Sequence, residues 1–215
     1  MTAQRTDRGI AVIIPVKAFG AAKARLAPVL TPAERARLAR WTASRVIAAA
    51  RGLDTYVACD DPEVAEWAAA EGAQVVWGAG LGLNGAVDAA VAAISQLGYQ
   101  RVLISHGDLP LACNYPKLIA EVDPRSVLLI PDRFKDGTNL VVRPTDIHLP
   151  ACYGGGSFRA HLGLALATQR PVTVRMDLHL GLDLDTVTEL NHPLIRAVLT
   201  DVTSQTGPIT RYERR

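Results

Sequence analysis

Three acids stand where chemistry is easiest to build. Asp108 lies in LISHGDLPLA, behind an apolar run and before a Leu-Pro break, and Asp183 and Asp185 lie two apart in GLDLDTVTEL. Residues i and i+2 of an extended chain project to one side, so this pair can converge on a divalent cation. Mg²⁺ is the expected ion, because carboxylates plus substrate phosphates satisfy its octahedral demand without a complete protein cage. Each acid also has a plainer use. Asp108 suits a turn or helix cap, and Asp185 suits the cap of a helix beginning near Thr186.

Cations lie at the other end of the chain. The loop PVKAFGAAKARLAP holds Lys17, Lys23 and Arg25, and its small residues from Gly20 to Ala22 let backbone amides approach a triphosphate. It is neither GxxxxGK[ST] nor GxGxxG, and an ordinary basic loop before a helix is the alternative. Lys17, Lys23, Arg25, Arg35, Arg37, Arg40, Arg45 and Arg51 stand against Glu34 alone between residues 17 and 51. That stretch faces an anion or is a solvated helix face.

Two further loops pair flexible backbone with hydroxyl donors. PDRFKDGTN carries Gly137 and Thr138, and YGGGSF carries Gly154 and Ser157 ahead of a helix. Such groups hold a carboxylate or phosphate at a helix N-terminus, although hairpin geometry alone also explains the glycines. The histidines, His106, His148, His161, His179 and His192, show no metal spacing and read as packed or solvated. No G-x-S-x-G elbow is present, so nucleophilic catalysis has no support.

The elements that must position these groups alternate along the whole chain. Apolar runs at Ile10–Val16, 53–59, 73–77, 100–106, 125–132, 138–144 and 170–176 read as strands. Helical patterns lie between them, one opened by a capping box at Thr31 to Glu34, one capped by Asp61, and one that Asn84 is placed to cap. The last helix is interrupted near Pro193, and about 204–215 reads as a tail. This predicts an α/β fold, a mostly parallel central sheet with helices on both faces, as one domain over 1–215 with its core at about 10–200. Ligands of such sheets bind beyond the carboxyl ends of the strands, where both Lys17 and Asp108 fall.

At 215 residues, 49% hydrophobic and 20% charged, the chain can bury a core. It has no apolar stretch of membrane length and no convincing secretory signal, which points to the cytoplasm without membrane association. Cys59, Cys113 and Cys152 are widely spaced and lack CxxC, so disulfide frameworks and structural zinc are not indicated. Interleaved aromatics and reading motifs for nucleic acid are absent, and a small phosphorylated ligand fits the basic segment better.

Taken in order, IIPVKAFGAAKARLAPVL, GLNGAV, GDLPLA, PDRFKDGTNLVVRP, YGGGSFRAHLGLA and LDLDTVTEL resemble the 2-phospho-L-lactate/phosphoenolpyruvate guanylyltransferase family of deazaflavin coenzyme F-420 biosynthesis, from Ile10 to about Leu190. The resemblance implies a nucleotidyltransferase of the nucleotide-diphospho-sugar transferase (GT-A-like) type. It implies transfer of GMP from GTP to phosphoenolpyruvate, 2-phospho-L-lactate or 3-phospho-D-glycerate, with release of pyrophosphate. By the same resemblance Asp108, Asp183 and Asp185 match Mg²⁺ ligands, with two ions expected. Thr138, Gly154 and Ser157 match positions that hold the acid. Lys17, Lys23 and Arg25 lie in the nucleotide-phosphate loop, and Leu83 and Asn84 match the nucleotide-side motif. Lys17, Lys23 and Asp108 would carry the catalysis, holding two repelling anions together so that a phosphate oxygen attacks the α-phosphorus in line. A homodimer is left open.

Two departures from the family pattern bear on the acceptor. KDGTN puts Lys135 and Asp136 where smaller residues are usual, and LDLDTVTEL loses a proline and an acid while keeping both aspartates. Lys135 or Asp136 would suit an extra hydroxyl on the acid. The rivals are another nucleotidyltransferase of sugar-phosphate or molybdopterin type, and a non-catalytic nucleic-acid-binding protein, which requires steep salt dependence and no metal.

Overall fold

The structure is a computed structural model that describes residues 8–206. The expected C-terminal tail falls outside the described residues apart from 204–206, which close the last helix. Strands β1 (Arg8–Pro15), β2 (Asp54–Cys59), β3 (Gln74–Trp77), β4 (Tyr99–Ser105), β5 (Val127–Pro131), β6 (Thr138–Pro144) and β7 (Val172–Val174) form one sheet in the order β3-β2-β1-β4-β6-β5-β7. The helices are α1 (Pro32–Ala49), α2 (Pro62–Ala70), α3 (Gly82–Gln96), α4 (Tyr115–Ala120), α5 (Ser157–Ala167), α6 (Val187–Leu190) and α7 (Pro193–Thr206).

The expected mostly parallel sheet is what forms. β1 runs parallel to β2 and β4, β2 to β3, and β5 to β7, while β6 runs antiparallel to both β4 and β5. Unbroken apolar strands suit a sheet covered on both faces. Val12, Ile14 and Leu103 pack with Val46 of α1 and Trp67 of α2, whereas Ala11, Ile13 and Val102 pack with Val91 and Ile94 of α3. A smaller apolar cluster joins Leu26, Leu30 and Leu38 to Leu182, Leu184 and Ile195, tying the first loop to the chain around Asp183 and Asp185.

Caps place the helix starts. Thr31 accepts from the Glu34 amide while Glu34 accepts from the Thr31 amide at 2.7 Å, and Asp61 accepts from the Val64 amide at 3.1 Å. The helix break expected near Pro193 separates α6 from α7. One cap differs from expectation. α3 begins at Gly82 with Leu81 in the cap position and no side-chain cap bond, so Asn84 lies inside the helix and is free for another partner.

The strand direction decides where the loops gather. β1 and β4 end at Pro15 and Ser105, and β6, running the other way, begins at Thr138 on the same rim, as shown by the pairing of Ser105 with Leu140. Both sets of candidate residues therefore meet at one edge of the sheet. Among the described residues, no helix is long and apolar enough to cross a membrane.

Candidate active site

A cavity of about 320 Å³ opens beyond the ends of β1 and β4, with Lys17, Lys23, Leu83, His106, Asp108 and Asp185 in its wall. Thr42 and Ala43 of α1 supply another side of it. A second cavity of about 220 Å³ shares Lys17, Ala21 and Leu83 with the first and continues over Asp60, Gly78 and Ala86. Gly78 allows the close approach of α3 there, since a Cβ would stand 3.0 Å from that of Ala86.

Two ion pairs join the first loop to the acids. Lys23 donates to Oδ2 of Asp108 at 3.0 Å, and Arg25 donates to Oδ2 of Asp185 at 2.9 Å. The two cations differ in setting, with side-chain exposures of 6% for Lys23 and 74% for Arg25, so only the first pair escapes solvent screening. Lys23 reaches Asp108 from a left-handed backbone conformation, φ 55°, uncommon for a residue with a side chain.

The capping alternatives for the acids do not hold. Thr186 itself caps α6, with Glu189 closing a capping box by accepting from the Thr186 amide at 2.9 Å, which leaves the Asp185 carboxylate to Arg25. Asp108 uses its side chain on Lys23 and its carbonyl to accept from the Leu184 amide at 2.9 Å. That bond anchors the Asp183–Asp185 stretch directly to Asp108. Arg133 fixes the same stretch from below, donating its amide to the Gly181 carbonyl and its guanidinium to Glu189 at 2.6 Å. Gly181 is required, because a Cβ would lie 2.6 Å from the Asp177 carbonyl oxygen.

Electrostatics separates the carboxylates. Burial pushes Asp108 up, yet the charge of Lys23, reinforced by His106 and the Lys23 hydrogen bond, outweighs it and holds the group below the ordinary carboxylate range. Burial and then the charge of Asp108 push Asp183 up to about 6. Oδ1 of Asp108 is buried and has no hydrogen-bond partner. An orphaned carboxylate oxygen near a second carboxyl that its charge disfavours fits a hard divalent cation. Among the described residues no three His, Cys, Asp or Glu side chains are grouped to hold an ion alone, so such an ion must take oxygens from its substrates and water.

His106, expected to be packed or solvated, packs edge to face on Tyr153 at 4.8 Å and also lines the cavity. Its Nδ1 stands 4.0 Å from Oδ1 of Asp108, its Nε2 is buried without a partner, and burial lowers its pKa. The i, i+2 rule that pairs Asp183 with Asp185 also pairs His106 with Asp108, so the signal was present. The basic segment divides. Lys17 and Lys23 reach the cavity, whereas Arg35 donates to the Leu30 carbonyl, Arg40 pairs with Glu63 and Arg45 donates to the Pro110 carbonyl.

The hydroxyl residues form a second group, outside the lining of both cavities. The Thr138 amide donates to Oγ of Ser157 at 3.0 Å, and Thr138 Oγ1 lies 3.0 Å from Nδ1 of His161. Gly154, exposed at φ +133°, accepts from the Ser157 amide at 3.2 Å. The loop ahead of them is folded on Asp132, whose carboxylate accepts from the amides of Phe134, Asp136 and Gly137. Asp136 ties this loop to the start of α5, its Oδ1 accepting from the Gly156 amide at 3.2 Å and its carbonyl from the Phe158 amide at 2.9 Å. Asn84 engages both ends of its carboxamide with the Tyr153 backbone, at 2.7 and 3.2 Å, and lines neither cavity.

The rim thus gathers lysines and carboxylates beside a second cleft, and likeness to known proteins places the chain in a family. The family model described as "Guanylyl transferase CofC like" matches residues 10–202. This chain belongs to that family. The guanylyltransferase is 35% identical over 83% of its length to phosphoenolpyruvate guanylyltransferase of Sphaerobacter thermophilus, 89% of which is covered. It is 30% identical over 85% of its length to 2-phospho-L-lactate guanylyltransferase of Methanothermobacter thermautotrophicus, 83% of which is covered. Its fold is that of a candidate nucleotide-diphospho-sugar transferase from Desulfovibrio desulfuricans, with TM-score 0.69 at 19% identity over 91% of this chain and 95% of that one. A nucleotidyl transferase from Methanothermobacter gives TM-score 0.61 at 15% identity, covering 89% and 98%. The guanylyltransferase is thus an enzyme, and the non-catalytic nucleic-acid reading is set aside.

Proposed function

We propose that this guanylyltransferase joins the GMP portion of GTP to the phosphate of phosphoenolpyruvate, releasing pyrophosphate, in the biosynthesis of coenzyme F-420. The observation that carries the reading is the 320 Å³ cavity, which sets Lys17 and Lys23 against Asp108 and Asp185 at the strand ends. The choice of acid is supported by relatives: three that are 34–35% identical are named phosphoenolpyruvate guanylyltransferases, against 30% for a 2-phospho-L-lactate enzyme.

Lys17, Lys23 and Arg25 bind and orient the triphosphate, and the cleft over Gly78 and Leu83 receives the base. An oxygen of the acceptor phosphate forms the new bond to the α-phosphorus while the bond to pyrophosphate breaks. The attacking oxygen is already ionised, so no side chain need remove a proton. Thr138, Gly154 and Ser157 hold the carboxylate end. Asp108, Asp183 and Asp185, which do not group into one closed site, would hold Mg²⁺ only jointly with phosphate and water oxygens, and the bound ion would supply positive charge to the reacting phosphates. The protein's share is to keep two anions aligned and dry.

Pyrophosphate release is the test, measured with each of GTP, ATP, CTP and UTP against phosphoenolpyruvate, 2-phospho-L-lactate and 3-phospho-D-glycerate. The expected result is turnover with GTP and phosphoenolpyruvate that stops on chelation of divalent cations. Preference for either other acid replaces the acceptor, and silence with all three, alongside turnover of a sugar phosphate, refutes the reading.

A further inference from the structure

Below the glycine turn, His161 is buried at 2% exposure with both ring nitrogens in hydrogen-bond reach of protein atoms. The Cys152 amide donates to Nε2 at 3.2 Å, so that nitrogen carries a lone pair and no proton. Nδ1 lies 3.0 Å from Thr138 Oγ1. With Nε2 accepting, the single proton of the neutral ring belongs on Nδ1. Burial, with the charge of His106 next, holds the His161 pKa down to about 4, which keeps the ring neutral near pH 7.

The direction of each bond then follows. Nδ1 donates, Thr138 Oγ1 accepts, and the hydroxyl proton of Thr138 is turned away from the ring. Ser157 is treated alike, because the Thr138 amide donates to its Oγ and leaves the Ser157 proton unclaimed. Two almost completely buried hydroxyls, Thr138 at 1% and Ser157 at 2% exposure, are both made donors to a third party. A pair of this kind suits an oxyanion and repels a cation. Ring contacts support the arrangement: Tyr153 meets both His161 and His106 edge to face, each at 4.8 Å.

We propose that His161 is a positioning residue that turns the Thr138 hydroxyl into a dedicated donor for the carboxylate of the acid substrate. The inference rests on the assignment of Thr138 and Ser157 to the acid made above. His161 touches no substrate; it acts through Thr138. The class of ligand is a small carboxylate or phosphate, bound by donors alone.

The experiment compares steady-state kinetics of His161→Phe, His161→Asn, Thr138→Val and the His161→Phe/Thr138→Val double variant. Phenylalanine keeps the ring packing and removes both polar roles, whereas an asparagine amide restores a donor near the position of Nδ1. His161→Phe should raise KM for the acid about tenfold, with kcat and KM for GTP within about twofold, and His161→Asn should stay within about threefold of the parent. Added to Thr138→Val, His161→Phe should change acid KM no further. Effects that multiply in the double variant, or a parallel change in both KM values, overturn the proposal. In the unliganded parent, ¹⁵N shifts of the ring must show the Nδ1-protonated tautomer, and the Nε2-protonated form overturns it even if His161→Phe does not fold. A parent inactive with every acid refutes the proposed function itself, whereas an active parent with an unaffected His161→Phe refutes only the role of His161.

Discussion

The ammonium of Lys23 lies 3.0 Å from Asp108 across 85 residues of sequence, and it neutralises one of the two carboxylates that line the cavity. At 6% side-chain exposure the lysine is shielded from water, and this partner balances its charge. The pair thus presets the site: the loop is held closed on the acid before any phosphate arrives to compete for the lysine.

Asp108→Asn should cut turnover by at least about 100-fold, because it removes both the orphaned oxygen and the charge balance of the rim. It should also cost on the order of 1–3 kcal/mol in urea unfolding, from leaving Lys23 buried and unpaired. Adding Lys23→Met should return most of that stability and none of the activity. A single variant with full activity would sink the role given to Asp108.

Glu189→Ala should be damaging although the residue lies outside the lining of both cavities. Glu189, at 6% exposure, accepts from Thr186 and pairs with Arg133 at 2.6 Å. Its loss should lower unfolding stability by about 2–3 kcal/mol, combining a lost cap with an orphaned guanidinium. Because that cap is what leaves Asp185 to Arg25, activity should fall as well, and Glu189→Gln should recover part of both.

Acid stability carries the mark of His161. Its folded pKa of about 4 lies below the unfolded value near 6.5, so between those limits the unfolded chain binds a proton that the folded chain refuses. The stability this residue supplies is full above pH 6.5 and is lost as the pH falls to about 4. The unfolding free energy of the parent minus that of His161→Asn should therefore shrink by about 2–3 kcal/mol across that window. A constant difference from pH 7 to pH 4, measured by denaturant titration, contradicts it.

Asn84→Ala should loosen the acid side without touching the phosphates. The two bonds from Asn84 to the Tyr153 backbone are worth about 1–2 kcal/mol together and hold the strand of chain that leads to Gly154. KM for the acid should rise several-fold while KM for GTP stays near its parent value. The reverse split would restore Asn84 to the nucleotide.

The scaffold was legible where local physics decides it. The capping box at Thr31, the Asp61 cap and the break at Pro193 each depend on residues within one turn of one another, and the strand at 138–144 on its own seven residues. The partnerships of the site were not, because Asn84 finds Tyr153 from 69 residues away and Arg45 finds Pro110 from 65. No spacing rule reaches that far, so Asn84 read as a cap and the arginines of α1 as one basic surface. His161 was within reach: it follows Ser157 by four residues on a helix, on the same face.

The antiparallel course of β6 has a consequence for how the molecule can diverge. Apart from Asp185, the groups that line the two cavities come from the chain before residue 109, and the hydroxyl pair with its histidine comes from the chain after residue 137. Because β6 starts at the rim where β4 stops, these two inheritances adjoin in space while remaining separate in sequence. Exchanging the hairpin and the start of α5 between relatives should therefore alter the acid accepted and leave the nucleotide unchanged.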